Sequence, residues 1–305
     1  MEKHRKKLIK NAAVFDGHSS GLAQGKKIVS EDDIVTEITV DEVSEENFDE
    51  VFDGTGMVAM PGMMDAHVHM GCLFAKGEFP VDYATVLTVA KCKDALMAGF
   101  TTFRDAGSVS EGLKLAFDEG VLPEPRIYPC GAYISQTCGH GDSEYAHTYR
   151  DIQYRHPSST VLADGVPEII RAVREQFYRG ASHIKLMATE ILNRHEDIRL
   201  LFGTDMMITG PDYQVEQSED IRYYEKRFGT MRALRALTGT ANEVFALTTY
   251  QNPYPKGKIG VLEAGAFADL LLVDGDPTKR VSVLADTDHL RLIMKGGTVY
   301  KNTLC

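Results

Sequence analysis

No C-x-x-C pair occurs anywhere in these 305 residues, and the cysteines (Cys72, Cys92, Cys130, Cys138, Cys305) are odd in number. Neither a disulfide framework nor a zinc ribbon fits that pattern, so the five are expected to be free thiols. No apolar run approaches the roughly 18 to 20 residues of a membrane helix, and no apolar signal-type segment follows the basic start. The expectation is a chain without membrane association, in the cytoplasm. Positive charge is also short: the net charge is −11, and the one basic cluster, Lys3 to Lys7, reads as a solvated strand end. Nucleic acid is therefore excluded as a partner, because phosphate binding needs clustered Lys and Arg. A phosphate-cradling Gly-rich loop is lacking as well, which counts against phosphoester chemistry.

The remainder is an ordinary globular composition, 43% hydrophobic and 25% charged, long enough for one large domain or one large and one small. Residues 1–60 read as short strands and turns: Leu8 to Phe15, Lys27 to Val29, Ile34 to Val40 and Val51 to Ala59, with tight turns at Asp16-Gly17 and Asp53-Gly54. From Pro61 the rhythm becomes strand, loop, helix. Helices are expected over Asp82–Met97, Glu111–Glu119 and Val166–Arg179, and over Arg222–Leu247 with a break at Thr238-Gly239-Thr240. Five barrel-type strands fall at 57–65, 101–104, 126–130, 183–187 and 199–203. Strands alternating with helices at about 30-residue intervals mean parallel βα units. The last fifty residues return to strands, with Gly296-Gly297 as a hairpin turn.

Three places carry chemistry. In PGMMDAHVHM, 61–70, Asp65, His67 and His69 are spaced two apart. On an extended strand they share one face, so a carboxylate and two imidazoles are expected to converge as the beginning of a metal site. A bare H-x-H also arises by chance, but here an apolar approach strand precedes it. In HIKLM, 183–187, Lys185 sits inside an apolar strand. Either it snorkels from an edge strand, or burial lowers its pKa and leaves a reactive neutral amine. At the end of RLLFG, 199–203, come Thr204 and Asp205, a carboxylate placed to ligate a metal or take a proton from water. The long polar excursion 131–165 contains Gly139-His140-Gly141-Asp142, and a loop of that length inside a compact domain is usually functional or disordered.

Six segments together resemble the amidohydrolase superfamily, in particular its prolidase-like and imidazolonepropionase-like members, the Xaa-Pro or Xaa-Arg dipeptidases. They are PGMMDAHVH (61–69), AGFTTFRDAG (98–107), ISQTCGHGD (134–142), IKLMAT (184–189), LFGTD (201–205) and IGVLEAGAFADLLLVDGDP (259–277). The resemblance implies an α/β fold: a (β/α)8 TIM-like barrel spanning 61–256, plus a β-sandwich built by the two chain termini, 1–60 and 257–305. It implies one or two divalent metals, most often zinc, with His67, His69, Lys185 and Asp205 as ligands and Lys185 converted to a carbamate. Asp205 would also activate the attacking water, and His140 would act on the substrate side. The implied reaction is hydrolysis of a C–N bond in a small-molecule or dipeptide-like substrate.

One departure stands out. Only twenty positions separate Lys185 from Asp205, whereas three βα units need roughly 90. The barrel is therefore expected to be incomplete, shortened between 190 and 199, and to lack the strands that carry the second-metal histidines. His183, at the beginning of its strand, and His195, in a polar segment, are not expected to replace them. A barrel without those staves has open edges, which predicts a homo-oligomer that covers them. Two readings follow: an active hydrolase with a reduced metal centre, or a catalytically impaired, internally deleted remnant.

Overall fold

A computed structural model describes residues 5–70, 81–107, 109, 111–121, 124–139, 141–142, 160–187, 199–207 and 213–304. Its N-terminal strands are β1 (Lys6–Lys10), β2 (Ala13–Val14), β3 (Lys27–Glu31), β4 (Ile34–Thr39), β5 (Glu50–Asp53) and β6 (Val58–Pro61); the C-terminal ones, named in advance, are β13 (Leu270–Val273), β14 (Leu290–Lys295) and β15 (Thr298–Asn302). They form a four-stranded sheet in the order β4-β3-β1-β5 and a five-stranded sheet in the order β15-β14-β13-β6-β2. The second sheet is a middle layer, and the period-2 alternation of its strands shows why. Leu270 and Leu272 of β13 join Ile9, Ile28, Val35 and Phe52 of the first sheet in one apolar cluster. Leu271 and Val273 face the other way, into a cluster with Phe100, Phe103 and Leu234. A strand apolar on both faces is the pattern of a strand buried on both sides.

The expected glycine hairpin joins β14 to β15. Gly296 and Gly297 have φ of 52° and 70°, the left-handed pair that a two-residue turn requires, and a Cβ on Gly297 would overlap the Asp32 carbonyl.

From β7 (Met63–His69) onward strands and helices alternate: α1 (Val81–Met97), β8 (Phe100–Asp105), α2 (Glu111–Asp118), β9 (Arg126–Tyr128), β10 (Tyr133–Ser135), β11 (Thr160–Leu162) and α3 (Gly165–Tyr178). After them come β12 (Met206–Met207), α4 (Tyr213–Phe228), α5 (Thr230–Ala236) and α6 (Gly239–Phe245). Four strands make a parallel sheet in the order β12-β7-β8-β9, and β10 pairs with β11 in a separate parallel pair. The arrangement is an α/β fold resembling an amidohydrolase barrel, but its sheets are not closed into one.

Two of the expected barrel strands are not strands. Segment 183–187 makes a single bridge, Leu186 beside Ile134, with Ile134 N–H donating to Lys185 O and Met187 N–H to Ile134 O, both at 2.9 Å. Segment 199–203 runs extended beside β7, where Ala66 N–H donates to Phe202 O at 2.8 Å, but ladder pairing starts only at Met206. The cause is local: Asp205 has φ of 55°, which turns the chain out of the pleat for three residues. The long helix expected over 222–247 is three helices. It begins earlier, at Tyr213, and Gly229 in the left-handed region (φ 81°) adds a break ahead of the anticipated one near Thr238. Helices α1, α2 and α3 fall within a residue of expectation.

Asp105 closes β8 with its carboxylate fully buried, accepting from Met70 N–H at 3.1 Å and Val109 N–H at 3.2 Å. Burial outweighs these donors and raises its pKa to about 7. A carboxyl whose folded pKa is raised contributes stability that is complete below the unfolded pKa of about 4 and is lost as pH rises through about 7. Asp105→Asn, which cannot ionise, is therefore expected to gain on the parent as pH rises. Urea midpoints of the two proteins at pH 5 and pH 8 check this; a difference that stays constant between the two pH values contradicts it.

Candidate metal centre

Strand β7 is buried along almost its whole length, with Met63, Met64, Ala66 and Val68 packed into core on either side. That burial fixes the register of the polar residues between them. His67 and His69 extend their rings to one point, with Nε2 atoms 2.9 Å and 3.2 Å from the same oxygen, Oδ1 of Asp205. The two rings are 5.4 Å apart, and His69 meets Tyr133 edge-on at 6.4 Å. One atom from each of His67, His69 and Asp205 lies within 4.8 Å of the others, the one such cluster among the described residues.

Asp65 does not join them, contrary to the expectation that all three polar residues of the strand converge. The pairing of β7 with β8 shifts register between Asp65 and Val68, a bulge that puts Met63 and Val68 in one cluster and Met64 and Ala66 in another, so Asp65 does not share the face of the two histidines. The Asp65 carboxylate turns instead to the chain beside it. It accepts from Thr204 Oγ1 at 3.0 Å, Gln217 Nε2 at 3.2 Å, His67 N–H at 3.1 Å and Thr204 N–H at 3.3 Å. Burial still pushes its pKa up to about 7 against those four donors. Its role is to pin the 203–205 turn to β7, which places Asp205; the Asp205 N–H donates to His67 O at 2.8 Å. Gly203 permits the approach, since a Cβ there would sit 2.8 Å from His67 Cβ. Gln217, on α4, carried no signal in the sequence: a buried glutamine reads as one more polar residue on a charged helix.

Lys185 Nζ lies 2.8 Å from His67 Nε2. His140 and His195 lie outside the described residues. His183 is not with the cluster's ligand atoms; its Nδ1 is 3.0 Å from Ser182 Oγ.

The donor set suits a divalent metal. Burial, followed by the nearby Lys185 charge, lowers the His67 pKa to about 4, so its imidazole is neutral at pH 7 as ligation requires. His67 Nε2 also faces Lys185 Nζ at 2.8 Å and Asp205 Oδ1 at 2.9 Å at once. One imidazole nitrogen cannot accept from an ammonium and donate to a carboxylate together. A cation at this point removes the conflict, because both the imidazole and the carboxylate then offer lone pairs. Two imidazoles and a carboxylate also match the three-ligand sets of hydrolytic zinc sites, in which a further position stays open.

Comparisons with known proteins agree with this geometry. A model described as "Amidohydrolase family" matches residues 58–198. Ochratoxinase of Aspergillus niger is 34% identical over 152 residues, a match covering 43% of this chain and 31% of that protein, so the chain spans less than a third of the curated relative's length. Among solved structures, an amidohydrolase superposes with a TM-score of 0.84 at 23% identity, covering 98% of this chain and 100% of the other. A prolidase complexed with N-methylphosphonate-L-proline gives 0.83 at 22%, covering 97% and 100%. The A. niger ochratoxinase structure gives 0.78 at 18%, covering 99% and 96%. At these identities the structural likeness speaks to the fold.

Proposed function

We propose, from the premise that this chain belongs to the amidohydrolase superfamily, that it is a metal-dependent hydrolase of a C–N bond in a small amide or dipeptide-like substrate. The observation that carries this reading is the meeting of His67, His69 and Asp205 within 4.8 Å, with Lys185 beside His67. A structural relative that is a prolidase complexed with N-methylphosphonate-L-proline supports the substrate class. Zinc fits the donor set best, with a carbamate on Lys185 as the fourth ligand. Bound there, the metal would polarise the scissile carbonyl and acidify water.

The chain's own groups supply the rest. Asp205, its side chain 70% exposed, stands toward solvent where it can take a proton from the attacking water. His67 and His69, 30% and 10% exposed, are held by the core strand and need little ordering when a ligand arrives. His140 is assigned the substrate side. The hydrolase unit is 61–256, the terminal segments 1–60 and 257–305 form the β-sandwich unit, and a homo-oligomer covers the open sheet edges. No helix of the described residues is long and apolar enough to cross a membrane; a cytoplasmic location and the absence of a nucleic-acid partner complete the proposal.

A second reading, a catalytically impaired remnant of such an enzyme, is favoured by one observation: among the described residues, the sheet carrying His67 and His69 does not close. One measurement separates the two. Purified protein is expected to carry close to one zinc per chain, and to hydrolyse members of an N-acyl amino acid and dipeptide panel, with activity lost to a chelator and restored by zinc. Bound zinc without turnover on any panel member selects the remnant, and a metal content near zero under metal-replete conditions removes the metal centre itself.

A further inference from the structure

Arg104 is not among the candidate metal ligands, although its charge is one of those that lower the His67 pKa. Its Nε donates to Ala66 O at 2.7 Å, and among the described residues no carboxylate pairs with it. It lines a cavity of about 400 Å³, between the end of α3 and the chain that follows α6. Neither His67, His69, Lys185 nor Asp205 contributes to the lining. In a chain with a net charge of −11, no Asp or Glu lines this cavity either. The other polar lining groups are the hydroxyls of Tyr128, Ser182, Thr248 and Thr249, the Gln251 amide and the His183 imidazole, while Phe177, Phe245 and Tyr250 give it aromatic walls.

A second observation comes from the backbone. Thr249, on the cavity wall, has φ of 47° and ψ of −119°, a conformation that a β-branched residue reaches only under strain. That conformation kinks the 246–251 segment, and Thr248, Thr249, Tyr250 and Gln251 line the cavity together with Arg104. Asp65 acts on this half-buried guanidinium only through space; without a direct ion pair among the described residues its burial is costly, and a planar carboxylate is the partner its fork matches in two parallel hydrogen bonds.

We propose that this cavity is a binding site for a small monocarboxylate with an aromatic or aliphatic body, its carboxylate on Arg104 and its apolar part against Phe177, Phe245 and Tyr250. The site is independent of the metal cluster and does not require it to be loaded.

Benzoate is the probe and benzamide its neutral counterpart, titrated by calorimetry into the whole chain, both after chelator treatment and after zinc loading. Benzoate is expected to bind in both forms, with benzamide weaker by about tenfold or more, the usual weight of a charged hydrogen bond. Arg104→Met removes benzoate binding. Because Arg104 also holds the Ala66 carbonyl and that variant can lose the fold, Leu247→Glu is the second variant. Leu247 lines the cavity and is 67% exposed, so a carboxylate there leaves the melting temperature in place. It is expected to weaken benzoate by about tenfold and benzamide hardly at all. Equal affinity for benzoate and benzamide overturns the proposal, as does a benzoate affinity untouched by Leu247→Glu. Binding seen only after zinc loading moves benzoate to the metal centre and overturns it equally.

Discussion

Asp65→Ala is expected to lower the stability of the metal-free protein by about 4 kcal/mol, although burial of the removed carboxyl is itself unfavourable to its charged form. A buried donor left without its acceptor costs about 1 to 3 kcal/mol. Four donors point at the Asp65 carboxylate: the N–H groups of His67 and Thr204, the Thr204 hydroxyl and the Gln217 amide. Water entering the vacated space satisfies some of them, which keeps the total well below the sum of four full penalties. The same four contacts tie β7, the 203–205 turn and α4 together at one point, so the loss is not confined to a single element. Asp65→Asn, which keeps one accepting oxygen in place, is expected to lose about half as much. Zinc affinity falls in Asp65→Ala too, because the turn that presents Asp205 is no longer pinned. Urea unfolding of the three proteins measures the first effect and a competitive zinc titration the second. If Asp65→Ala is as stable as the parent, Asp65 is not the brace described above.

That brace marks the limit of what spacing alone conveys. The i, i+2, i+4 pattern of Asp65, His67 and His69 correctly marks a strand, which the buried apolar residues between them confirm. Strict alternation does not hold along it, however. The register shifts between Asp65 and Val68, so Asp65 leaves the face that His67 and His69 share, and nothing in the pattern says which two of the three belong together. Third-ligand identity was legible in another way. Asp205 stands 136 positions from His69, a separation no local periodicity bridges; its place after an apolar strand marked it as a candidate, as burial in a strand marked Lys185, and the likeness of LFGTD and IKLMAT to a family pattern joined both to the histidines in one expected site.

Helices were read well wherever glycine or a clear apolar stripe marks an end, as in α1, which stops before Gly99 at φ 89°. They were read poorly over 213–245, where Gly229 divides the helix by its backbone conformation and the surrounding composition does not change. The twenty positions between Lys185 and Asp205 were legible as arithmetic. Among the described residues the sheet ends at β9 on one side and β12 on the other, in keeping with the rule that parallel strands need long crossovers.

Asp205→Asn separates the site from the fold, as Asp65→Ala does not. Asp205 occupies the left-handed region at φ 55°, and asparagine is one of the few residues that enters it at little cost, so the turn and its N–H bond to His67 O survive the exchange. The side chain is 70% exposed, and in the metal-free protein its contacts to His67 and His69 are surface contacts of small weight. Stability without metal is therefore expected to change by no more than about 0.5 kcal/mol. With metal the outcome reverses. An amide oxygen brings no charge, and losing a direct ligand exceeds the about 10- to 100-fold that outer partners are worth, so zinc affinity should fall by more than about 100-fold. The parent's melting temperature rises with added zinc by mass action, and that of Asp205→Asn does not at the same concentrations. Hydrolysis by the variant, if the proposed activity is present in the parent, drops with it even at saturating zinc, because the amide cannot take the proton from water. Identical zinc-induced shifts in the two proteins would remove Asp205 from the metal centre and leave His67, His69 and Lys185 as its protein groups.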